Sequence, residues 1–414
     1  MPYVQHYNCG EKDMAMPNYI VIDLETSVKN RGDEAVGDMA ANPFYPDNKI
    51  VMTGWTFNHQ AQSGTPKIET TVGSPTWNGV HNTDYLVVGQ NIKFDLLYLY
   101  RDNHWREWAK HGRIWDTMVV EYLLTGQQEK YASLGDKRDH TGKVIKKGLA
   151  TKYGGVDKID KIKGYWDAGM DTEDIPKNEL DEYLEGDVRN TEIVFRAQYL
   201  IAKRLGMLPL IESQMDALLA TTEMEWNGFN LDIGKAYIIS EEVKAAMMEA
   251  EKQVLKDMRT VGIKEPNPHS NVQISLMLFG GTQTTREQRP THTPDHPQYR
   301  YKGGAKAGQV RTRLTDVPHK VIGLAGPLAK NVAVPTTKAG VFKTGEEQLK
   351  AVGTPPALNV LELRLHAKDL KTHYVGYAKL YWPNHKCMHG SFSHCATNTG
   401  RLSSSKPNLQ NIPK

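Results

Sequence analysis

The pattern of apolar positions changes its period along the chain. In the first two hundred residues, short apolar runs between polar loops predict strands, and helical periods follow them. The predicted strands are NYIVIDLETS, NKIVMTGWTFN, KIETTV and DYLVVGQN, and the predicted helices are IKFDLLYLY, IWDTMVVEYLL and NELDEYLEGDVRNTEIVFRAQYLIAKRL. Strands first and helices later indicate an α/β domain that ends near Leu205.

A Gly-Met-Leu-Pro break at residues 206–209 separates this domain from a region of helical periods. Helices are predicted at IESQMDALLATTEMEWNG, AYIISEEVKAAMMEAEKQVLKDMRTVG and NVQISLMLFG, the last with Ser270 as its N-cap. Further helices are predicted at TGEEQLKAVG and PALNVLELRLHAKDLKTHYVGYAKLYW. We interpret this region as a second, elongated and mainly helical domain.

Between residues 282 and 344 the periodicity disappears into Gly, Pro, Thr and basic residues. Eleven lysines and arginines against three acids give this segment a net charge of +8, although the whole chain carries only +3. Such a segment can neutralise nucleic-acid phosphates, dock an accessory protein or remain a disordered basic loop. We rank DNA contact first.

Composition excludes several classes of protein. A hydrophobic fraction of 39% and a charged fraction of 24% over 414 residues fit a soluble globular protein of two or three domains. No apolar run is long enough to cross a bilayer and no signal peptide is evident, so we expect a cytoplasmic protein without a membrane partner. Cys9, Cys387 and Cys395 are scattered, which supports neither a disulfide framework nor a zinc site.

Candidate chemistry begins in the first strand. Asp23 and Glu25 in VIDLETS are two residues apart, so the strand's period of two directs both carboxylates to one face. Two acids side by side in a sheet call for a positive charge between them, and a divalent cation is the natural candidate. The alternative is a strand end where both acids meet solvent.

Two further pairs are spaced four residues apart, so that each shares a helix face. Asn91 and Asp95 lie in GQNIKFD, and Tyr183 and Asp187 lie in YLEGD. Taken alone, the first fits a helix-start asparagine with an unrelated surface acid, and the second is an easy chance match. The joint order, D-x-E, then N-x-x-F-D, then Y-x-x-x-D, resembles the tyrosine branch of the DEDD superfamily of 3′ to 5′ exonucleases.

This resemblance implies an RNase H-like fold with a mixed sheet and two divalent cations, Mg²⁺ or Mn²⁺. It assigns the metal to the four carboxylates: Asp23 bridges both ions, Glu25 and Asp187 complete the water-activating site, and Asp95 holds the second ion through water. By the same resemblance Tyr183 orients the attacking water. Leu24, Thr26 and Asn91 are expected to contact the terminal nucleotide of single-stranded DNA, although Leu24 fits a core residue and Thr26 a strand-end hydroxyl equally well. Asp116 fits an N-cap better than a catalytic role.

The second half of the chain resembles family-A DNA polymerases. The residues that carry this resemblance are MEWNGFNLD at 224–232, VFKTGEEQLKAVG at 341–353 and TGRLSSSKPNLQNIP at 399–413, of which the last is the most specific. It implies that Arg401 reaches the minor groove near a primer terminus, where contacts test shape rather than sequence. Asn408, Gln410 and Asn411 belong to the same DNA-facing segment. Lys371 would follow the DNA backbone together with Arg364 and Lys368, although a solvated helix face explains each equally well.

The resemblance divides the chain into an exonuclease domain at 1–205, a polymerase thumb at 206–385 with the basic insertion at 282–344, and the start of a palm at 386–414. The arrangement looks phage-like. Its implied partners are a single-stranded 3′ end, primer-template DNA and an accessory or processivity protein at the insertion. The motifs of the fingers and of nucleotide addition do not occur in these residues. We therefore expect either a split polymerase with a second polypeptide or a fragment of a longer product.

Two alternatives from other classes remain open: a stand-alone exonuclease that acts on RNA, and a non-catalytic DNA-binding scaffold for a polymerase partner. The closing stretch TNTGRLSSSKPNLQNIPK is polar, and it would gain little by burying itself against its own thumb. We expect it to become ordered only on a partner chain or on DNA.

Overall fold

The computed structural model describes residues 16–29, 41–58, 67–75, 84–157, 161–291, 300–325, 334–338 and 340–411. The chain forms two compact units. The first consists of residues 1–231 and 379–414, and the second of residues 232–378. In the described part of the chain no helix is long and apolar enough to span a membrane.

The first unit combines strands and helices, as the sequence predicts. Its strands are β1 (Tyr19–Thr26), β2 (Ile50–Phe57), β3 (Glu69–Val72), β4 (Leu86–Gly89), β5 (Arg113–Asp116), β6 (Lys137–Arg138), β7 (Val144–Lys146), β8 (Phe229–Asn230), β11 (Tyr381–Trp382), β12 (Cys387–Met388), β13 (Ser391–Ser393) and β14 (Ser403–Ser405). Its helices are α1 (Ile92–Leu99), α2 (Asn103–Ala109), α3 (Thr117–Leu124), α4 (Leu149–Lys152), α5 (Lys161–Asp167), α6 (Lys177–Arg204) and α7 (Leu208–Asn227).

A five-stranded mixed sheet in the order β3-β2-β1-β4-β5 forms the centre of the first unit. Strand β1 pairs antiparallel with β2 and parallel with β4, and β5 extends the parallel side. The predicted α/β class is therefore confirmed. The helix α6 packs along β1, β2 and β4, because Leu184, Val188 and Phe195 form a fully buried stripe on one of its faces.

One segment that is predicted to be helical forms the end of a strand followed by a shorter helix. The sequence IWDTMVVEYLL predicts a single helix, whereas its first residues pair with β4 as β5 and only Thr117–Leu124 is helical. The cause is Asp116, whose Oδ1 accepts hydrogen bonds from the backbone N–H groups of Met118 and Val119. The predicted N-cap role of Asp116 is confirmed, and the cap fixes where the helix starts.

The second unit is mainly helical. Its elements are α8 (Ile233–Thr260), α9 (Asn271–Phe279), β9 (Gly281–Pro290), β10 (Thr312–Val321), α10 (Glu346–Val352), α11 (Pro355–Asp369), a π-helical turn at Leu370–Tyr374 and α12 (Val375–Lys379). Ser270 accepts a hydrogen bond from the N–H of Gln273, which confirms it as the N-cap of α9. Val254, Met258 and Ile274 are fully buried in the core of this unit.

The basic insertion contains a structure that the sequence pattern did not reveal. Strands β9 and β10 pair antiparallel from Gly281 opposite Val321 to Pro290 opposite Thr312. Val317 and Val321 are buried, while most other side chains of the hairpin are at least partly exposed. Because both faces of this ribbon are mainly polar, the alternation that identifies a half-buried strand is missing.

The polar C-terminal stretch is also ordered within the first unit as far as residue 411. Strands β13 and β14 pair between Ser391 and Ser405, and Ser404 is buried at the centre of that ladder. Tyr122 donates its hydroxyl hydrogen to the backbone oxygen of Thr397 at 2.6 Å. The expectation that this stretch needs a partner in order to fold is therefore wrong for these residues, because backbone pairing and side-chain hydrogen bonds satisfy it internally. Residues 412–414 lie outside the described part.

Candidate functional site

Three of the predicted carboxylates come together in the first unit. Ligand oxygens of Asp23 and Glu25 on β1 and of Asp187 on α6 lie within 4.8 Å of one another. Glu25 and Asp187 are buried, and Asp23 is half-buried. Carboxylate oxygens in such a group are the donors that hard divalent cations prefer. Among the described residues, no other His, Cys, Asp and Glu side chains form a group that could hold a metal.

Gly54 allows the helix that carries Asp187 to approach this strand. It lies opposite Asp23 in the ladder between β1 and β2. A Cβ atom on Gly54 would stand 2.8 Å from Cγ of Leu184 and 3.1 Å from Cγ2 of Val188. Sequence reasoning missed Gly54, although an isolated glycine inside a strand is a signal of close approach by another element.

Asp95 belongs electrostatically to the same cluster. It lies in the first turn of α1 and is buried. Burial raises the pKa of its carboxyl well above the usual range, and the charge of Asp23 raises it further, with smaller contributions from Asp116 and Glu25. Crowded carboxylates of this kind favour either a proton or a bound cation between them. The donor chemistry of all four predicted metal ligands therefore fits a divalent cation.

Tyr183 lies on the same helix as Asp187, as predicted, whereas Asn91 does not lie on the same helix face as Asp95. Tyr183 is half-buried on α6, one turn before Asp187, and its ring meets Trp166 edge-on at 6.4 Å. Asn91 does not share a helical face with Asp95, because it precedes α1 in the left-handed region with φ 57°. Its backbone N–H donates to Oδ1 of Asp116 at 3.1 Å, and the residue is exposed.

The two remaining residues predicted to contact a nucleotide are buried on β1. Leu24 is part of the main hydrophobic core, and Thr26 follows the register shift at the end of the ladder with β2. Both positions agree with the alternatives of a core residue and a strand-end hydroxyl. Their contact with DNA stays a prediction.

The C-terminal segment presents its predicted DNA-facing side chains to the surface. The exposed residues are Arg401, Asn408, Gln410 and Asn411. Gln410 donates from Nε2 to the backbone oxygen of Leu402 at 2.6 Å, which fixes the short helical turn against the preceding strand. Gly400 before Arg401 has φ 72°, and a Cβ there would stand 2.7 Å from Nε2 of Gln127. Glycine is therefore required at this turn.

Sequence reasoning missed a buried ion pair that holds this segment. Lys93 on α1 donates to Oε1 of Glu225 on α7 at 2.6 Å, and it also donates to the backbone oxygen of Phe392. The N–H of Phe392 donates to the same carboxylate of Glu225. In sequence, a lysine in a helix and an acid at a helix end are indistinguishable from solvated charges.

In the second unit, Lys371 is exposed in the π-helical turn, and its contact with a DNA backbone stays a prediction. Arg364 is different. Its guanidinium donates to Oδ1 of Asn271 at 2.6 Å and to Oγ1 of Thr344 at 3.3 Å, and burial lowers its pKa. Arg364 therefore joins α11 to α9 and to the strand-free segment before α10, and the expectation that it follows a DNA backbone is not supported by its position.

Comparison with known proteins associates the C-terminal part with one family. The model of DNA polymerase family A matches residues 323–414. DNA polymerase I of Rhizobium leguminosarum is 35% identical over 101 residues, and the thermostable DNA polymerase I of Thermus filiformis is 40% identical over 80 residues. These matches cover 24% and 19% of this chain and only 10% of each relative.

A solved structure is similar over most of the chain. The POL domain of Pol1 from M. smegmatis, in complex with DNA primer-template and dNTP, superposes with a TM-score of 0.54 at 16% identity. The similarity covers 96% of this chain and 52% of that one. The chain is thus similar in sequence to family-A DNA polymerases over residues 323–414 and shares its fold with part of a DNA polymerase structure.

Proposed function

We propose that this chain is a metal-dependent exonuclease that removes nucleotides from DNA 3′ ends and that it also forms the DNA-gripping part of a family-A DNA polymerase. The observation that carries the exonuclease proposal is the convergence of Asp23, Glu25 and Asp187 within 4.8 Å. The sheet order β3-β2-β1-β4-β5, with α6 packed across it, supports an RNase H-like domain around these acids.

Each side chain of the site has a role that its position supports. Asp23, Glu25, Asp95 and Asp187 would hold two Mg²⁺ or Mn²⁺ ions, and ions bound there would supply activation of the attacking water and stabilisation of the leaving 3′ oxygen. Asp23 is grouped with Glu25 and Asp187, and its charge also acts on Asp95, so it would contribute to the binding of both ions. Tyr183 lies one helical turn before Asp187, where its hydroxyl would orient the attacking water. The burial of Glu25 and Asp187 keeps their carboxylates in fixed positions.

The experiment is shortening of a 5′-labelled single-stranded DNA in Mg²⁺. We expect the substitutions Asp23→Asn, Glu25→Gln and Asp187→Asn each to lower the rate by at least 100-fold, on the order of the loss seen when a catalytic interaction is removed. Glu182→Gln, at an exposed acid on the same helix, is the matched control and should retain the rate. Activity that persists in the first three variants with unchanged folding would contradict the site.

The same assay separates the alternatives. Equal or faster shortening of an RNA of the same sequence would favour the RNA-trimming enzyme. Complete absence of metal-dependent shortening in the wild type, together with DNA binding, would favour the non-catalytic scaffold. The crowded acids argue against a scaffold, because buried carboxylates without a function are costly to keep.

For polymerisation, we propose that this chain supplies the thumb and the start of the palm to an enzyme whose remaining palm and fingers come from a second polypeptide or from a longer product. The similarity of residues 323–414 to DNA polymerase family A supports this proposal. Primer extension with and without a candidate partner chain is the test. Arg401→Ala should lower extension while leaving single-strand shortening unchanged, since the residue is exposed on the segment similar to polymerases. Equal loss of both activities would contradict separate roles.

The hairpin of β9 and β10 is proposed to contact duplex DNA. Arg289 and Arg313 lie directly opposite each other in the ladder, and Arg289 also pairs with Glu287 at 3.4 Å, so the exposed Arg313 adds positive charge to this face. Arg289→Gln and Arg313→Gln should together reduce the salt dependence of duplex binding by close to two ion equivalents. An unchanged slope would direct attention to an accessory protein at this insertion. A cytoplasmic location, in the host cell if the chain is phage-encoded, completes the proposal.

A further inference from the structure

A second basic hairpin lies in the first unit, outside every motif considered so far. Strands β6 and β7 and the turn between them belong to segment 129–157, which contains seven lysines and arginines and four acids. The side chains of Lys137, Lys143 and Lys147 are exposed. A charged surface of this size usually only contacts solvent. The question is therefore which of its lysines and arginines already pair with an acid and which do not.

Two acids of this segment accept hydrogen bonds from within the segment itself. Oδ1 of Asp136 accepts from the N–H of Gly148 at 2.7 Å and from the hydroxyl of Thr151 at 2.5 Å. Oδ1 of Asp139 accepts from the N–H of Thr141 at 2.9 Å and of Lys143 at 3.1 Å, which closes the turn. These hydrogen bonds lower the pKa of both carboxyls.

The two other acids of the segment are paired with other cations. Glu129 bonds Lys146 at 2.5 Å, and Asp157 bonds Arg138. Within the ranges that the structure describes, no acid forms an ion pair with Lys137, Lys143 or Lys147. Three exposed lysines therefore form no ion pair with an acid of the described residues, although the charge of Lys147 helps to lower the pKa of Asp136.

One of them is held against another lysine. Lys137 lies directly opposite Lys146 in the ladder between β6 and β7. Side chains of directly opposed residues project from the same face, where like charges are unfavourable. Glu129 offsets the charge of Lys146, so Lys137 is the lysine of this ladder that forms no ion pair with an acid of the described residues.

The segment is anchored beside the carboxylate cluster at both ends. At its start, Nε2 of Gln90, the residue before Asn91, donates to the backbone oxygen of Ala132 at 2.7 Å. At its end, Asn190, one helical turn after Asp187, accepts from the N–H of Val156 at 3.1 Å and donates to its oxygen at 3.0 Å.

Packing reinforces these anchors. Ala132, Leu134, Leu149 and Ala150 of the segment form a buried cluster with Val194 of α6. The hairpin is therefore fixed to α6, which carries Asp187, and to Gln90, which precedes the helix that carries Asp95. The elements that anchor this basic hairpin are thus the ones beside which the 3′ end of a nucleic acid in the carboxylate site would lie.

We propose that Lys137, Lys143 and Lys147 bind the phosphate backbone of the single-stranded nucleic acid whose 3′ end enters the site of Asp23, Glu25 and Asp187. The inference rests on the proposed exonuclease function for the identity of that strand. Its physical basis is phosphate neutralisation, which positions a strand without reading its sequence.

The test measures binding without cleavage. Fluorescence anisotropy of a labelled dT20 strand in EDTA compares the wild type with the triple variant Lys137→Gln, Lys143→Gln and Lys147→Gln. Three lost phosphate contacts predict that the slope of log K against log salt becomes shallower by about 2, at −0.7 for each contact on a single strand. Affinity at low salt should fall by at least tenfold.

A matched control removes the same charge elsewhere. Lys67→Gln, Lys110→Gln and Lys177→Gln lie at exposed positions of the first unit on other elements. This variant should keep at least two thirds of the wild-type slope, and equal slopes for both triple variants would overturn the proposal. Since all six positions are exposed, circular dichroism and Tm should show both variants folded like the wild type.

Kinetics separates this inference from the proposed function. With a 20-nucleotide strand, the hairpin variant should have a raised KM and an unchanged kcat. A trinucleotide has too few phosphates to contact three lysines as well as the carboxylate site, so its KM should change much less. If the wild type binds dT20 through the hairpin but never shortens it, the exonuclease proposal fails and the hairpin proposal stands. If shortening occurs and the hairpin variant binds like the wild type, the hairpin proposal fails alone.

Discussion

Lys93 and Glu225 form an ion pair of 2.6 Å in which the side chains are only 13% and 4% exposed. The pair encloses the backbone of Phe392, whose oxygen accepts from the lysine and whose N–H donates to the glutamate. It therefore connects α1, which carries Asp95, to the strand that precedes the segment containing Arg401. Two distant parts of the sequence are held together by one buried charge pair.

Removal of one partner of this pair should be strongly destabilising. Lys93→Met or Glu225→Met leaves a buried group uncompensated, which costs about 3–5 kcal/mol when an ion pair of this kind is broken. The double variant Lys93→Met and Glu225→Met should lose less than the sum of the single changes. Urea unfolding provides the four free energies, and additive losses would show that the two charges do not interact.

Replacement of Gly54 should affect the site through packing. In Gly54→Ala the new methyl group meets Leu184 at 2.8 Å, so α6 must move away from β2, at a cost of about 1–3 kcal/mol. Gly186→Ala is the matched control, because a Cβ there meets nothing within 4 Å and alanine favours the helix by roughly 0.5–1 kcal/mol. Thermal unfolding should show opposite signs for the two substitutions, and a Gly54→Ala protein as stable as the wild type would contradict the close approach.

The carboxylate cluster predicts that a divalent cation stabilises the protein. Titration with Mg²⁺ should raise Tm by roughly 2–4 °C for each kcal/mol of binding free energy, because a cation bound to the native state shifts the folding equilibrium. Asp187→Asn should raise Tm in EDTA by removing repulsion, and it should respond less to Mg²⁺. Differential scanning calorimetry with and without the cation checks both signs. The Glu182→Gln control should respond like the wild type, and a wild type insensitive to Mg²⁺ and Mn²⁺ would speak against a metal site.

Because His394 is buried, we expect the protein to lose stability at mildly acidic pH. Burial lowers the pKa of this histidine to about 4, and the charge of Lys93 lowers it further, while its Nε2 lies 2.8 Å from the hydroxyl of Thr221. The unfolded state, with an ordinary pKa near 6.5, binds more protons between those two values. Stability should therefore fall as the pH drops from about 6.5 towards 4, by up to roughly 3 kcal/mol for one such group.

Unfolding of the wild type and of His394→Gln across this pH window measures the effect. His389, whose pKa burial also lowers to about 4, contributes in the same direction, so His394→Gln should remove only part of the slope. His111→Gln, at an exposed histidine, is the control. A His394→Gln protein with the full wild-type slope would show that His394 does not titrate as its burial requires.

Asp116 should tolerate amidation but not truncation. Its Oδ1 accepts from three backbone N–H groups, of Asn91, Met118 and Val119, while its Oδ2 is buried without a hydrogen-bond partner. Asp116→Asn keeps the acceptor and removes a buried charge, so we expect a change below about 1 kcal/mol. Asp116→Ala leaves three donors without an acceptor and should cost about 2 kcal/mol or more. Chemical unfolding at pH 7.5 compares the pair, and equal losses would contradict the cap.

Much of the local structure follows from the sequence alone. Periods of two and of 3.6 residues identified β1 and the long helices, and side-chain capping chemistry identified the roles of Ser270 and Asp116. The hairpin of β9 and β10 was not predictable in this way, because a ribbon that is polar on both faces has no hydrophobic alternation. Asn91 lies before α1, in agreement with the alternative of a helix-start asparagine, and the expected shared face with Asp95 was wrong because Asn91 has a left-handed backbone conformation.

The sequence by itself determined the types and the order of the candidate site residues, since two carboxylates on one strand and a tyrosine one turn before an aspartate are local spacings. Only the tertiary structure decided that Asp187 reaches Asp23 and Glu25, that Gly54 makes room for this approach, and that Lys93 and Glu225 hold the segment before Arg401. The physical reason is that periodicity fixes which face a side chain occupies, whereas the distance between two faces depends on packing between residues far apart in the chain.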